Sequence, residues 1–517
     1  MAHDGLVMGV DIGTTSTKAI VYDAEGRVLA KASAGYPLYT DAPAAAEQDA
    51  DEVLAGVMQA IAEAAQTSGQ ADAIRWLSVS AAMHSVLPVD ERGRPLTRAL
   101  TWADSRGQRQ AEAIRADAGH GLYLRTGTPI HPMSPLVKLC WLREAEPDVF
   151  RRAARFISLK EYVLYHWFGE YLVDHSIASA TGLFNLRRRA WDDEALAVAG
   201  VRPDRLSALE PTTRVLTGMR PEAVRALGLS PGVSVVIGAS DGVLANLGVA
   251  AIHPGVAAAT LGTSGAARLV VDRPLTDGEG RTFCYALTED RWVIGGSTNS
   301  AGIILRWVRD HVGLEEPGGA GDEAHAGYHR LVAMAESVPP GSDGLVFLPF
   351  LAGERAPYWN ADARGVYFGL SLQHTRAHLV RAACEGVLLQ LKNVIQSLTD
   401  LAGPLREVRA GGGVMRHAWW QRTMADVMDI PVVVPDDYES SCWGAAALAW
   451  YAVGVWDRLE RVEETVSLQT RLEPDPGRAR VYAAAMERFR RLYGALTNEF
   501  SALAADRDRT PAELGGD

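Results

Sequence analysis

Asp11, Gly13, Thr14, Thr15 and Ser16 crowd into one short stretch of the run Leu6-Val-Met-Gly-Val-Asp-Ile-Gly-Thr-Thr-Ser-Thr-Lys-Ala-Ile-Val-Tyr-Asp23. An apolar run enters a tight turn and a second apolar run leaves it, which predicts strand, turn, strand. A carboxylate, a glycine and several hydroxyls in one turn suit a nucleotide phosphate with its Mg2+. Backbone N–H groups and hydroxyls meet phosphate oxygens, and the carboxylate faces hydrated metal. The G-x-x-x-x-G-K-[ST] spacing of the Walker loop is missing. An ordinary hairpin, with Gly for positive φ and Thr for β-propensity, would read the same way. What favours phosphate is a second copy, Val256-Ala-Ala-Ala-Thr-Leu-Gly262-Thr263-Ser-Gly-Ala-Ala-Arg-Leu-Val-Val271. Two such hairpins about half a chain apart predict a duplicated domain closing on one nucleotide.

Other residues with chemistry sit at predicted strand ends, where α/β proteins place ligand contacts. Asp241, in Gly238-Ala-Ser-Asp-Gly242, ends a buried strand. It suits a base accepting the proton of an attacking hydroxyl, although from local sequence alone a helix N-cap is the commoner reading. Trp102-Ala-Asp104-Ser-Arg106 sets a carboxylate and a guanidinium two residues apart. That pair suits polyol hydroxyls or a substrate carboxylate, and also a surface salt bridge. Met83-His84-Ser85 offers hydrogen bonds to the same substrate or simply a satisfied histidine. The triplet Gly411-Gly412-Gly413 lets backbone approach a flat ligand such as adenine, or makes a tight strand-to-helix turn.

These residues need elements to hold them. Residues 6–40 read as three strands, 51–65 as a helix capped by Asp49 or Asp51, and Trp76–Ala81 as a strand. Short strands at 86–90 and 99–102 precede a helix at 108–118, and 135–170 reads as helical with a break near Pro147. Helices are also expected at 301–312, 419–429, 440–451 and 481–500, a Gly/Glu/Ala-rich surface insertion at 314–326, and a frayed last dozen residues. The chain has 517 residues, enough for two or three domains, and 48% hydrophobic residues allow a sizeable core. A net charge of −12 argues against non-specific nucleic-acid or anionic-membrane binding. Cys140, Cys284, Cys384 and Cys442 show no paired spacing and read as buried thiols of a reducing compartment. The uncharged run from Gly242 to Ala267 holds five glycines and Pro254, so it is not a membrane span. With no leader-like N-terminus, the cytoplasm is the expected location.

Taken together the pieces resemble the FGGY carbohydrate kinases of the actin-like/Hsp70-like/sugar kinase superfamily, over roughly residues 6 to 500. Met133-Ser-Pro135-Leu-Val-Lys138-Leu-Cys-Trp141-Leu-Arg-Glu144 is similar to one family signature, with Ala145 where a polar residue is usual. Gly365-Val-Tyr-Phe-Gly369-Leu370 with His378-Leu-Val-Arg-Ala-Ala-Cys384-Glu385 is similar to the other, with Cys384 where a larger apolar residue is usual. The resemblance implies an α/β fold of two RNase H-like domains around a nucleotide cleft. Residues 1–248 would bind sugar and carry the first phosphate hairpin, and 249–517 would bind nucleotide. It implies ATP and Mg2+, with Asp11 toward the metal and Thr14, Thr15 and Ser16 along the phosphates. Gly262 and Thr263 would contact the phosphates from the second domain, with Gly302, Gly412 and Arg416 near the nucleotide. Arg306 and Arg416 replace amides of some members. Asp241 falls at the base position, and His84, Asp104 and Arg106 in the sugar region.

Gly127-Thr-Pro-Ile-His131-Pro-Met-Ser134-Pro, Phe156-Ile-Ser-Leu-Lys160-Glu-Tyr162 and Ser176-Ile-Ala-Ser-Ala-Thr181-Gly-Leu-Phe-Asn185 look most like the gluconate-phosphorylating members. This implies D-gluconate plus ATP giving 6-phosphogluconate. Arg106, with Lys138, Lys160 or His131 as helpers, would answer the acid's carboxylate. Xylulose, ribulose or glycerol as acceptor remains an alternative, as does an actin-like or Hsp70-like ATP switch. The latter is disfavoured because no peptide-binding domain follows. Expected partners are a small sugar acid or sugar, no nucleic acid and no membrane, with a homodimer as the assembly considered.

Overall fold

The computed structural model describes residues 5–313, 322–435 and 439–508. They divide into two compact units, one of Met1–Pro254, Val270–Ile294 and Asp437–Ser467, the other of Gly255–Leu269, Gly295–Asp436 and Leu468–Asp517.

In the first unit, strands β1 (Leu6–Ile12), β2 (Ser16–Tyr22), β3 (Val28–Gly35), β4 (Ile74–Ala81), β5 (Val215–Leu216) and β6 (Ser234–Val236) form a six-stranded sheet in the order β5-β6-β4-β1-β2-β3. β1, β2 and β3 pair antiparallel, while β4 runs parallel to both β1 and β6. β1 is nearly all apolar because it is buried on both faces. β3 alternates buried and exposed residues, as a strand with one wet face must. Met8, Val10 and Ile12 pack with Val53, Val57 and Ile61 of the helix Ala50–Ser68. Val7, Ile20 and Tyr22 pack instead with Val243, Leu244 and Leu247 of the helix Asp241–Gly248 and with Trp443 and Leu448 of the helix Ser440–Ala452. Asp49 caps Ala50–Ser68 by accepting from the Asp51 and Glu52 N–H groups at 2.9 and 3.1 Å.

Glycines set the spacing on this second face. A Cβ on Gly444 would lie 1.9 Å from the Leu244 carbonyl oxygen, one on Gly248 1.9 Å from that of Ser440, and one on Gly9 2.1 Å from that of Cys442. Two helices and the central strand therefore touch backbone to backbone.

The second unit repeats the plan. β7 (Val256–Leu261) pairs antiparallel with β8 (Gly265–Val271) and parallel with β9 (Glu407–Gly411). β10 (Val432–Pro435) lies parallel to β9, and β11 (Leu468–Leu472) pairs antiparallel with β10. The order β8-β7-β9-β10 matches β2-β1-β4-β6 in place and direction, which bears out the expected duplication; the antiparallel edge strands differ, since β11 follows β10 in the chain whereas β5 precedes β6.

Local pattern misled in four places. The stretch 135–170 is not purely helical: Arg155–Ile157 is a strand between the helices Pro147–Arg152 and Leu159–Phe168. It pairs with Leu87–Val89, a long-range contact that helical periodicity cannot register. The helix expected to 312 is α-helical only over Gly302–Val308 and then widens into a π turn over Arg309–Gly313. Of the insertion expected at 314–326, residues 314–321 lie outside the described residues, and the helix Asp322–Glu336 begins where loop was expected. At the end, the helix Pro476–Asp508 runs into the segment expected to fray, whose last residues, 509–517, lie outside the described ones. The four cysteines are buried and unpaired. Among the described residues no helix is long and apolar enough to cross a membrane.

A helix-interior Gly→Ala change ordinarily stabilises by about 0.5–1 kcal/mol. At Gly444 the 1.9 Å approach overrides that gain, because backbone cannot swing aside as a side-chain tip can. Gly444→Ala is expected to cost more than the about 1–3 kcal/mol of ordinary overpacking. Differential scanning calorimetry should show Tm lower by about 3 °C or more; an unchanged Tm would mean that the two helices can part freely.

Candidate active site

The β1–β2 turn is braced from several sides. Gly13 N–H donates to the Ser16 carbonyl at 3.0 Å, and the Tyr36 hydroxyl donates to the Gly13 carbonyl at 2.8 Å. Gln48 Nε2 donates to the Thr14 carbonyl at 2.9 Å, and Trp102 Nε1 donates to Thr14 Oγ1 at 2.9 Å. Thr14, Thr15 and Ser16 thus stay in one rigid turn with at least part of their surface open.

Asp11 is the last residue but one of β1, opposite Lys18 on β2 and Ser80 on β4. Ser80 Oγ donates to Asp11 Oδ1 at 2.7 Å. Burial pushes the Asp11 carboxyl up to about 6, and the charge of Asp241 pushes the same way, against the Ser80 hydrogen bond and Lys18. Lys18 Nζ is held 2.6 Å from Glu439, which also takes Lys31 at 2.8 Å. A buried carboxyl raised by burial and by the charge of a second carboxylate is a donor that fits a hydrated divalent cation, whose charge would reverse the shift.

Asp241 is not the helix N-cap. Ser240 holds that position, and Asp241 is the first helical residue, its Oδ1 accepting from the Gly242 N–H at 2.6 Å. A carboxylate in a first turn is favoured by the helix dipole. Gly238, at φ +76, lets the preceding chain pass where a Cβ would lie 2.1 Å from the Val79 carbonyl oxygen.

His84, Asp104 and Arg106 join the same unit. His84 has a φ of 73 and its Nδ1 is 2.8 Å from the Ala180 carbonyl. A carbonyl only accepts, so Nδ1 carries a proton; in a neutral ring Nε2 is then the acceptor. Asp104 and Arg106 form no surface salt bridge: Asp104 is 1% exposed. It accepts from the Ala46 N–H at 3.1 Å and from Arg106 Nε at 2.9 Å. Arg106 Nη2 also reaches Glu47 at 2.5 Å, and its guanidinium lies over the Trp141 ring. The one cation therefore serves two carboxylates. Lys160 pairs with Asp174 at 2.7 Å. Lys138, fully buried, donates to the Pro132 and Met133 carbonyls, and burial lowers it to about 7. His131 Nδ1 accepts from the Met133 N–H at 3.1 Å. A recess lined by Gly13, Gln48, Met83, Ser85, Thr101 and Trp102 adjoins these groups.

In the second unit, the β7–β8 turn closes with Gly262 N–H donating to the Ser264 carbonyl at 3.0 Å, leaving Gly262 and Thr263 exposed. Gly302 and Gly412 both converge on it. Gly302 N–H donates to the Gly262 carbonyl at 2.9 Å and Ile303 N–H to that of Thr263 at 3.0 Å. A Cβ on Gly302 would lie 2.5 Å from the Gly262 oxygen, and one on Gly412, at φ +103, 2.3 Å from the Leu261 oxygen. Arg416, exposed, ends the short 3-10 turn Gly413–Arg416, so the triplet leads into that turn before the helix Ala418–Met428.

The first hairpin is thus tied to Trp102 and Gln48, and its Asp11 feels Asp241, while Gly302 and Gly412 close on the second. Sequence reasoning passed over Gln48, Ser80 and Glu47. Gln48 and Glu47 were hidden beside Asp49, which reads locally as a cap. Trp102 stood in a named stretch, yet nothing local tied its indole to Thr14.

The first half of the chain, residues 6–248, matches the family model described as the FGGY family of carbohydrate kinases, N-terminal domain, and residues 257–453 match the C-terminal domain of the same family. A protein of Bacillus licheniformis named gluconokinase is 46% identical over 96% of this chain and 97% of its own length. The crystal structure of gluconate kinase from Lactobacillus acidophilus superposes with a TM-score of 0.92 at 30% identity, covering 96% of this chain and 99% of that one. A ligand-bound xylulose kinase structure from the same organism gives a TM-score of 0.92 at 30% identity, covering 96% and 100%.

The Asp11 shift carries a signed consequence. A carboxyl held at about 6 in the fold against 3.8 ordinarily is bound more readily by protons when folded. It costs no stability at low pH, and the cost grows as pH rises from about 4 to about 6 and persists above. In metal-free protein in EDTA, Asp11→Asn should raise Tm at pH 8 and raise it less at pH 5. A Tm lowered equally at both pH values would refute the charge-pair account.

Proposed function

Because the chain belongs to the FGGY family of carbohydrate kinases, we propose that it transfers the γ-phosphoryl group of ATP to O6 of D-gluconate, giving 6-phosphogluconate and ADP. The observation that carries the acceptor is the 46% identity to the Bacillus licheniformis gluconokinase across nearly both full lengths. On this reading residues 1–248 serve the acceptor, residues 249–517 serve the nucleotide, and the enzyme works in the cytoplasm as a homodimer.

Asp241 takes the proton of the attacking hydroxyl. Its place in the first turn of a helix pinned by glycine contacts keeps the carboxylate fixed while the acceptor is oriented. Asp11, with Asp241 near it, would hold Mg2+, which when bound neutralises phosphate charge. Thr14, Thr15 and Ser16, with the turn's N–H groups, line phosphate oxygens, and Gly262 and Thr263 do so from the second unit. Gly412 and Arg416 lie along the nucleotide. His84 Nε2 accepts from an acceptor hydroxyl. Asp104 and Glu47 are kept from repelling the acid's carboxylate by Arg106, which offers its remaining donors to it.

The test is ADP release with Mg-ATP and a panel of D-gluconate, other aldonates, D-xylulose, L-ribulose and glycerol. Gluconate-selective turnover is expected; selectivity for a neutral sugar would overturn the acceptor. Asp241→Ala should lower kcat about a hundredfold or more with little change in ATP KM, and near-normal turnover would remove it as the base. Arg106→Gln uncovers two carboxylates, so it should raise KM for gluconate about tenfold and by clearly less for any neutral acceptor. Equal effects on both would take Arg106 out of acid recognition.

A further inference from the structure

Glu354 is 1% exposed, and every part of its carboxylate is engaged. Oε2 lies 2.7 Å from Thr298 Oγ1 and 2.7 Å from Ser300 Oγ. Oε1 accepts from the Asn299 N–H at 2.9 Å and the Arg355 N–H at 2.7 Å. Burial nonetheless raises its pKa, so the site puts a costly charge-bearing group in the interior and surrounds it with donors. Three of the four donors belong to one turn, Thr298–Ser300.

Further bonds lace this turn to the segment that carries Glu354. Asn299 Nδ2 donates to the Ala352 carbonyl at 3.1 Å, Arg355 Nη2 to the Thr298 carbonyl at 3.2 Å, and Ala356 N–H to the Ser297 carbonyl at 2.9 Å. The turn opens directly into the helix Gly302–Val308. That helix's first two N–H groups do not face outward. Gly302 donates to the Gly262 carbonyl and Ile303 to the Thr263 carbonyl. A continuous chain of short bonds therefore runs from a buried carboxylate, through one turn and one helix start, to the exposed β7–β8 hairpin.

The geometry points to Glu354 as a positioning residue for the nucleotide: it holds the Thr298–Ser300 turn so that Gly302 and Ile303 fix the Gly262–Thr263 hairpin against the phosphates. It touches no substrate itself. This inference rests on the reading above that Gly262 and Thr263 contact the nucleotide. A carboxylate suits the task because it alone among buried side chains can accept from two hydroxyls and two N–H groups at once. Removing it leaves two backbone donors buried without an acceptor, and they regain one only if the turn moves.

The experiment is ADP binding by isothermal titration calorimetry, with KM for ATP and for gluconate, on the full chain carrying Glu354→Ala. Displacement of the hairpin by a fraction of an ångström should weaken ADP binding and raise KM for ATP about tenfold or more, while KM for gluconate stays within about twofold. If Glu354→Ala does not fold, Glu354→Asp retains the charge but draws the carboxylate back by one methylene, and it should shift ADP affinity in the same direction. Unchanged ADP affinity in a folded Ala or Asp variant, with only Tm lowered, would overturn the inference. Thr263→Ala, measured alongside, separates the two layers. If it weakens ADP binding and the Glu354 variants do not, the positioning role alone fails. If it too leaves ADP binding unchanged, the hairpin reading fails and this inference falls with it.

Discussion

Backbone touching backbone is the constraint on which the first half-site depends. Gly444 against Leu244, Gly248 against Ser440 and Gly9 against Cys442 bring two helices and the central strand closer than any side chain would allow. Asp241 begins one of those helices and Asp11 is the last residue but one of that strand. The separation of the two carboxylates is thus set by glycine contacts rather than by flexible side chains. The apolar layer of Val7, Ile20, Leu244 and Trp443 supplies the burial that holds these surfaces together. Positional accuracy of this kind matters for proton and phosphoryl transfer, where small displacements carry large rate penalties.

Electrostatics separates the groups that act from those that support. Asp174 with Lys160 and Glu385 with Arg381 are buried pairs in which each charge meets its opposite. Glu47, Arg106 and Asp104 form a triad with one cation for two acids. Asp11 differs, because its strongest neighbour besides burial is another carboxylate, and Lys18 is drawn off toward Glu439. A fold tolerates such an imbalance where function requires it. Under the proposed function that imbalance is what a bound cation would relieve at Asp11.

Much of this was legible in the sequence because it is local. The two turns around Gly13 and Gly262 announce themselves by apolar runs on either side, and the Asp49 cap by the helical period after it. Strand order repeats because the hairpins repeat. What stayed hidden is long-range. Arg155–Ile157 becomes a strand only because Leu87–Val89 waits to pair with it. Gln48 and Trp102 reach Thr14 across 34 and 88 residues of chain, and no spacing rule encodes such contacts. Glu354 offered one faint signal, an acidic and a basic residue following the apolar run Leu345-Val-Phe-Leu-Pro-Phe-Leu-Ala. A charge there must be either exposed or fully satisfied, and only the structure tells which.

The duplication also shows how two copies of one hairpin diverged physically. Asp11-Ile-Gly-Thr in the first copy answers to Thr260-Leu-Gly-Thr in the second, so a hydroxyl replaces the carboxylate. On the proposed function phosphate oxygens would face this turn, and they repel any carboxylate not backed by a cation, so a second acid at Thr260 would work against binding. With no charge to place, the second hairpin needs only neutral donors held still. Its supports follow from that need. The first hairpin is braced by side chains, Tyr36, Gln48 and Trp102, whereas glycine backbone at Gly302 and Gly412 crowds the second. One buried carboxylate of the second unit, Glu354, lies one turn back from that hairpin, where it orders donors rather than joining the turn itself.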